Sequence, residues 1–266
     1  MDKYNAKTGM LIGAILVVLL VFIALFAGVL TEYDSTVTNT QSFFDPPSWQ
    51  YPFGTDRMGG GVLTRVFHGI GTNLKISFLS MLISLIIGVF LGSVTELLGK
   101  WVNTAVAYTY FARFLSSGPG IILALLMAYH FAGSSGMAAL GIAIALLPGF
   151  IRIINSVFFQ IKEKDFKRAF GMIAAQASLS IALASLLYAT LGFLGLGAQS
   201  PTQELGSLIS EGSRFIRIAP HVVVYPGIAL AIIALSFNVL GESLNSIVLG
   251  FSRKPAYMGQ APHSSA

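Results

Sequence analysis

The chain has 266 residues, of which 55% are hydrophobic and only 10% charged, with a mean hydropathy of +0.76 and a formal net charge of +5. Soluble domains carry roughly 25% charged residues, so a soluble fold of this composition could not cover its surface with polar groups. Cysteine is absent, which excludes disulfides, a thiol nucleophile and thiolate metal ligands. The composition therefore predicts an integral membrane protein.

Long uncharged blocks recur along the chain. A helix needs roughly 20 apolar residues to cross a bilayer core of about 30 Å. Helices are expected rather than an open sheet, because sheet edges cannot face lipid. The fold class is therefore an all-α membrane protein with about six transmembrane helices, predicted at 9–30, 74–96, 104–130, 137–159, 172–197 and 221–249.

The first block requires a test against a signal peptide, which also begins with basic residues and an apolar run. Lys3 and Lys7 precede about 20 uncharged residues, a longer stretch than the apolar region of a typical signal peptide. No clean cleavage site of the small-x-small type follows. The block is predicted to be a retained first helix.

Basic residues set the orientation, because cytoplasmic loops carry the excess of Lys and Arg. With the N-terminus inside, four arginines face outward (Arg57, Arg65, Arg214 and Arg217), and Lys75 lies near the boundary. The inner side then receives Lys3, Lys7, Lys100, Lys162, Lys164, Lys167, Arg168, Arg253 and Lys254. Both termini are predicted to be cytoplasmic. The same distribution explains the net charge without nucleic acid as a partner.

The predicted organisation has four parts. An N-terminal transmembrane helix occupies 1–30, an external loop 31–73, the transmembrane core 74–253 and a flexible cytoplasmic tail 254–266. Within the external loop, YPFGTDRMGGG predicts a turn, after which Asp56 would cap a helix beginning near Met58. The glycine run lacks the GKS or GKT of a phosphate-binding loop.

Five polar residues interrupt the predicted spans and were tested as functional candidates. Packing or hydrogen bonding could explain Arg113 and Asn238, whereas Arg152 and Glu242 are expected near the inner interface, where long side chains reach the headgroups. His130 falls at an outer helix end. The set forms no proton relay, and the chain has no hydrolase motif and no His spacing for a metal. The chain is predicted not to be an enzyme and to bind no metal or cofactor.

Near the outer end of the fifth span, three glycines (Gly192, Gly195 and Gly197) are expected to permit close helix approach. Beyond Pro201, the segment 203–213 is expected to lie along the membrane surface. Glu211 and Arg214, three residues apart there, could form an ion pair, although a solvated face is the default for such residues.

Three stretches carry a family resemblance: PFGTDRMG at 52–59, LGFLGLGAQSPTQELGSLISEG at 191–212, and APHVVVYPGIALAIIALSFNVLGESLNSIV at 219–248. Their sequence and order resemble the permease subunits of binding-protein-dependent ABC importers, and more narrowly the C-type subunit of the dipeptide, oligopeptide and nickel systems. One departure is that Gly60 and Gly61 stand where that family usually has Arg-Asp.

The resemblance implies a MetI-like type I permease in a prokaryotic inner membrane, forming half of a translocation path for peptides, nickel or another small solute. Its implied partners are a second permease, two cytoplasmic ATPases that bind ATP and Mg, an external substrate-binding protein and the lipid bilayer. Residues of the substrate path could not be assigned from the sequence.

The resemblance also implies an inner coupling loop that reads E-A-A, three residues, then Gly. The matching stretch here is QIKEKDFKRAFG at 160–171, and it lacks the Pro-containing continuation by roughly four or five helical turns at about 3.6 residues each. The candidate coupling residues are Asp165, Phe166, Lys167, Arg168, Ala169, Phe170 and Gly171.

Residues 161–170 are predicted to form a short amphipathic helix. Phe166, Ala169 and Phe170 would share one face, and Glu163 would pair with Lys167 on another. That helix could dock on an ATPase or lie on the membrane surface. Two alternatives to an importer subunit follow: an assembly or scaffold subunit without ATPase coupling, and a secondary carrier driven by an ion gradient.

Overall fold

The computed structural model describes residues 3–31, 42–98, 135–162, 164–197 and 202–250, together with positions 122 and 126. These ranges contain six complete helices and, apart from one bridge between Thr55 and Gly61, no β-structure. The helices are α1 (Lys3–Leu30), α2 (Val62–Leu98), α3 (Ser135–Lys162), α4 (Phe166–Phe193), α5 (Leu205–Ser213) and α6 (His221–Gly250). The all-α fold is confirmed.

Five of these helices are long and apolar enough to cross a membrane, with mean hydropathies between 1.8 and 3.2 over their most apolar windows. They are α1, α2, α3, α4 and α6, and they correspond to predicted spans one, two, four, five and six. The predicted third span at 104–130, with Arg113 and His130, falls outside the described residues except at 122 and 126. The tail at 254–266 also falls outside them.

Helix α2 begins earlier than expected. It starts at Val62, twelve residues before the predicted boundary at 74, and its 37 residues extend for about 55 Å at roughly 1.5 Å each. Its first turns are helical because Val62, Val66 and Ile70 recur every four residues and are buried against the core. The external loop is correspondingly shorter than predicted.

Helix α4 lies at the centre of the bundle, packed against α2, α3, α5 and α6, while α1 packs against α2 and α6. Small residues allow these close approaches. A Cβ at Gly206 would overlap the carbonyl of Ala189, and one at Gly13 would lie 2.9 Å from the backbone nitrogen of Leu240. The second contact also places Gly13 of α1 level with Leu240 of α6.

Side-chain hydrogen bonds between helices fix further relative heights. The hydroxyl of Ser178 in α4 donates to the carbonyl of Phe237 in α6 at 2.7 Å. The amide of Asn73 in α2 donates to the carbonyl of Ser185 in α4 at 3.2 Å. Both donors are buried, so these bonds satisfy polar groups in the helix interfaces.

Candidate functional site

The turn between α3 and α4 and the first turns of α4 hold the candidate coupling residues. Only three residues separate Lys162, the last residue of α3, from Phe166, the first of α4. The amide of Lys164 donates to the carbonyl of Ile161 at 3.0 Å, and that of Asp165 donates to Gln160 at 2.9 Å. With Lys164 in the left-handed region at φ +59°, these two bonds form the Schellman motif that ends many helices.

Asp165 then begins the next helix. Its side chain accepts from the backbone amide of Arg168 at 3.1 Å, as an N-cap residue does. The end of α3 and the start of α4 are thus joined directly, and the chain reverses its direction within this short turn.

The separate helix predicted at 161–170 is therefore wrong. Ile161 belongs to the last turn of α3, whereas Phe166 and Phe170 belong to the first turns of α4. The predicted shared face is also incomplete, because Phe166 and Phe170 are 64% and 74% exposed while Ala169 is buried. Of the predicted pair of Glu163 with Lys167, Glu163 falls outside the described residues. Gly171 packs against Val248 of α6.

At the opposite end of the bundle, Asp56 orders a turn. Its Oδ1 accepts from the amides of Met58 at 2.7 Å and Gly60 at 2.9 Å. The prediction that Asp56 caps a helix beginning near Met58 is wrong, because the next helix begins only at Val62. The short side chain of Asp56 instead closes the turn locally, a common role for Asp in loops.

Arg65 in the first turns of α2 connects three segments at this end of the bundle. Its guanidinium donates to Oδ2 of Asp56, to Oε1 of Gln203 at 2.7 Å and to Oε2 of Glu211 at 3.1 Å. The predicted pair of Glu211 with Arg214 is wrong, since Glu211 bonds Arg65. Sequence reasoning missed this cluster because Gln203 and Glu211 lie 138 and 146 residues from Arg65.

The loop at 42–61 packs against α6. The imidazole Nε2 of His221 lies 3.0 Å from the carbonyl oxygen of Thr55. The Phe53 ring stacks on Tyr225 with 4.0 Å between centroids and 7° between planes. The Thr55 hydroxyl also donates to the Ser42 carbonyl at 2.7 Å. The loop and the N-terminal end of α6 therefore form one packed unit.

The three glycines around the C-terminal end of α4 have a different role from the one predicted. A Cβ at Gly192 or Gly197 would overlap the carboxylate of Glu204, which is fully buried. These two glycines make room for a carboxylate rather than for a neighbouring helix. Gly195 adopts φ +78° and supplies the left-handed turn between them.

Three of the polar candidates within the spans can be placed. Asn238, Glu242 and Arg152 all have exposed side chains. The described helices leave the side chain of Asn238 exposed, so packing against them does not explain this residue, and the alternative of hydrogen bonding stays a prediction. Among the described residues, no group of three or more His, Asp or Glu side chains could hold a metal ion.

Comparison with known proteins decides the family. No protein-family model matches the chain. It is 31% identical to the dipeptide transport system permease protein DppC of Alkalihalophilus pseudofirmus, over 88% of this chain and 83% of that protein. It is 27% identical to DppC of Haemophilus influenzae, over 91% and 90%. The chain belongs to the DppC family of permeases.

A further relative of this permease is the glutathione transport system permease protein GsiD of Escherichia coli, 28% identical over 87% of this chain and 82% of that protein. The chain is thus a multi-pass membrane subunit of the C-type peptide-permease family. The comparison with the Alkalihalophilus protein extends over 254 positions but takes in 88% of 266 residues, about 234. About 20 aligned positions therefore have no residue in this chain.

Proposed function

We propose that this chain forms half of the translocation path of an ATP-driven peptide importer in a prokaryotic inner membrane, with both termini in the cytoplasm. The observation that carries the proposal is similarity to dipeptide permeases along nearly the whole chain, at 31% identity to the Alkalihalophilus protein. The relatives' names specify dipeptides, di- and tripeptides, D,D-dipeptides and glutathione, which favours peptides over nickel or another small solute.

The proposed assembly contains a second permease, two cytoplasmic ATPases and an external substrate-binding protein. ATP and Mg would bind the ATPases, and this chain would contribute no catalytic group. Transport would proceed by alternating access at the interface between the two permeases. The relatives are named as parts of transport systems, which supports partners in general.

Within this proposal, the described residues would divide the work between two ends of the bundle. The Arg65 cluster and the fastened loop at 42–61 would keep the outer surface rigid while the helices move. At the inner end, Phe166 and Phe170 would offer an ATPase the exposed aromatic surface of the turn. Buried aromatic anchors carry much of the energy of protein interfaces.

Deleting the gene in its own organism tests the function. We expect the deletion strain to lose uptake of a radiolabelled dipeptide, and the intact gene to restore it. Dipeptide uptake that is unchanged by the deletion, in cells with no other dipeptide importer, would contradict the proposal.

The three-residue turn favours a second candidate, a family-derived subunit that assembles with transport proteins without contacting an ATPase. The roughly 20 missing positions agree with that possibility. Replacing Phe166 and Phe170 together by alanine distinguishes the two candidates, with Phe90→Ala, at an exposed position of α2, as the control.

If the turn docks on an ATPase, the double substitution removes two contact side chains. Loss of such anchors costs about 2 kcal/mol or more, or roughly a 30-fold weakening of ATPase binding. The scaffold candidate predicts that the double substitution changes neither the ATPase activity of the assembly nor the set of subunits that co-purify with the chain. A secondary carrier would instead show uptake in vesicles that exclude nucleotide.

A further inference from the structure

A cavity of about 800 Å³ lies between α1 and α2. On α1 its lining extends from Val17 to Gly28, a rise of about 16 Å at roughly 1.5 Å per residue. Ile181 of α4 and Phe237 of α6, both buried, complete the lining on the side of the bundle. The volume falls within the range of about 300–1,000 Å³ that is usual for small-molecule sites.

The polar lining residues all belong to α2. His68, Thr72 and Lys75 follow one another at intervals of four and three residues, so they lie on one face of the helix. The imidazole Nδ1 of His68 lies 3.0 Å from the carbonyl oxygen of Thr64, and the Thr72 hydroxyl donates to the His68 carbonyl at 3.2 Å. Lys75 is the exposed member of the three.

The ammonium group of Lys75 has no acidic neighbour in this lining. No described Asp or Glu lines the cavity, and neither ion pair among the described residues includes Lys75. An ammonium group away from bulk water needs a counter-charge. The cavity therefore offers a cation on otherwise mostly apolar walls.

Two helices indicate the depth of Lys75 in the membrane. The uncharged block that follows it, 76–95, extends for about 30 Å, the thickness of a hydrocarbon core, which puts Lys75 at one edge of the core. Across the cavity, a Cβ at Gly71 would lie 3.4 Å from the carbonyl oxygen of Ala24. Lys75, one turn farther along α2, is then level with Leu20, near the middle of the uncharged part of α1. Lys75 thus lies between the edge and the middle of the core, and its side chain, directed toward the start of α2, can reach back toward the headgroups.

An amphiphile with a negative headgroup matches this distribution of charge. Basic pockets between transmembrane helices bind the headgroups of anionic lipids, and apolar walls accommodate an acyl chain. A dipeptide fits less well, because it would also bring an ammonium group, for which no described lining residue supplies a carboxylate. The concave shape and the lysine together distinguish the cavity from the apolar faces that the long helices also expose.

We propose that the cavity between α1 and α2 binds one anionic phospholipid. Its phosphate contacts Lys75, and one acyl chain lies along Val17, Leu25 and Phe78. The site is separate from the turn between α3 and α4 and does not depend on which solute is transported.

Binding of defined lipids to the purified assembly tests the proposal. The full chain, isolated from native membranes with its bound subunits, is delipidated in mild detergent and titrated with phosphatidylglycerol or phosphatidylethanolamine of the same acyl chains. Native mass spectrometry counts the lipids that stay bound. We expect one phosphatidylglycerol to bind at least about fivefold more tightly, because a basic side chain near an anionic lipid contributes about 1 kcal/mol. Equal affinity for the two lipids, or no binding of either, would overturn the proposal.

Substitutions then locate the bound lipid. Lys75→Gln should abolish the preference for phosphatidylglycerol, and Lys75→Arg should retain it. The matched control is Lys164→Gln, at an exposed lysine in the turn between α3 and α4, which should leave the preference unchanged. Gly28→Phe tests the acyl-chain part, since a Cβ at Gly28 meets nothing within 4 Å and a ring there can fill the groove and weaken binding. An unchanged preference in Lys75→Gln would reject the site.

Two other occupants predict different results. If a dipeptide occupies the cavity, dialanine should displace phosphatidylglycerol from the wild-type assembly. If residues 32–41 of this chain cover the cavity, their acidic residues Glu32 and Asp34 would neutralise Lys75. In that case, the wild type should show no preference between the lipids, and Glu32→Gln combined with Asp34→Asn should create one. Either result would contradict the lipid site, whereas the dipeptide uptake of the wild-type chain tests the proposed function independently.

Discussion

Arg65 shows how one residue can connect several segments at one end of a helix bundle. Its side chain is 17% exposed and its main partner, Asp56, only 4%, whereas Glu211 is 45% exposed. Breaking a buried pair leaves an uncompensated charge, which costs about 3–5 kcal/mol, while an exposed pair contributes about 0–1 kcal/mol. The bond to Asp56 should therefore dominate the cluster.

Replacing Arg65 by alanine should accordingly lower the free energy of unfolding by about 3 kcal/mol or more. Glu211→Ala is the matched control and should cost less than about 1 kcal/mol. Thermal unfolding of the purified full chain in mild detergent measures both. Equal destabilisation by the two substitutions would show that the exposed bond matters as much as the buried one.

Gly192 offers a second test at the residue scale. An alanine methyl there would overlap the buried carboxylate of Glu204. Overpacking of this kind typically costs 1–3 kcal/mol. Gly195→Ala is not a clean control because Gly195 has a positive φ, so Gly28→Ala, where a Cβ meets nothing within 4 Å, is preferable. A normal unfolding temperature for Gly192→Ala would contradict the packing of Glu204 between the glycines.

At the scale of elements, the turn between α3 and α4 is the feature that sets this chain apart from the coupling loop its family resemblance implied. A Schellman motif ends α3 and an N-cap begins α4, both within residues 160–168. The chain therefore reverses its direction with only three connecting residues. The sequence contained the signals, since Asp165 is a favoured N-cap residue. The end of α3 was harder to predict, because Lys164 occupies the left-handed position that glycine usually takes.

Substitutions at two adjacent residues of the turn are expected to change the stability of the chain in opposite directions. Asp165→Ala removes the cap and should cost about 1 kcal/mol. Lys164→Gly removes the strain of a left-handed non-glycine residue, about 1–2 kcal/mol, and should raise the unfolding temperature. Thermal unfolding in detergent checks both. Destabilisation by Lys164→Gly would contradict the left-handed geometry at φ +59°.

Some features of the fold could be predicted from the sequence, and others could not. Spans such as α1 and α6 were predictable because uncharged runs of about 20 residues require a membrane. The early start of α2 was predictable in principle from the four-residue spacing of Val62, Val66 and Ile70, but the second span was placed only at 74–96 and the residues before it in the external loop. The Arg65 cluster was not, because its partners come together only when α2 packs against the segment around α5.

For the whole molecule, the described helices form a bundle around α4. The 42–61 loop packs on the N-terminal end of α6, and a three-residue turn joins α3 to α4 at the opposite end of the bundle. Sequence alone identified Asn238 as a residue within the span. Its exposure required knowing which faces of α6 the other described helices cover.

The most direct test of the central claim is transport by the purified assembly. The full chain, tagged and isolated from native membranes together with its bound subunits, is reconstituted into vesicles of phosphatidylethanolamine and phosphatidylglycerol with the external binding protein supplied. We expect labelled dipeptide to accumulate only when ATP and Mg are present on the side of the ATPases, and not with a non-hydrolysable ATP analogue. Dipeptide accumulation without ATP, or an isolated assembly that contains this chain but no ATPase, would contradict the claim.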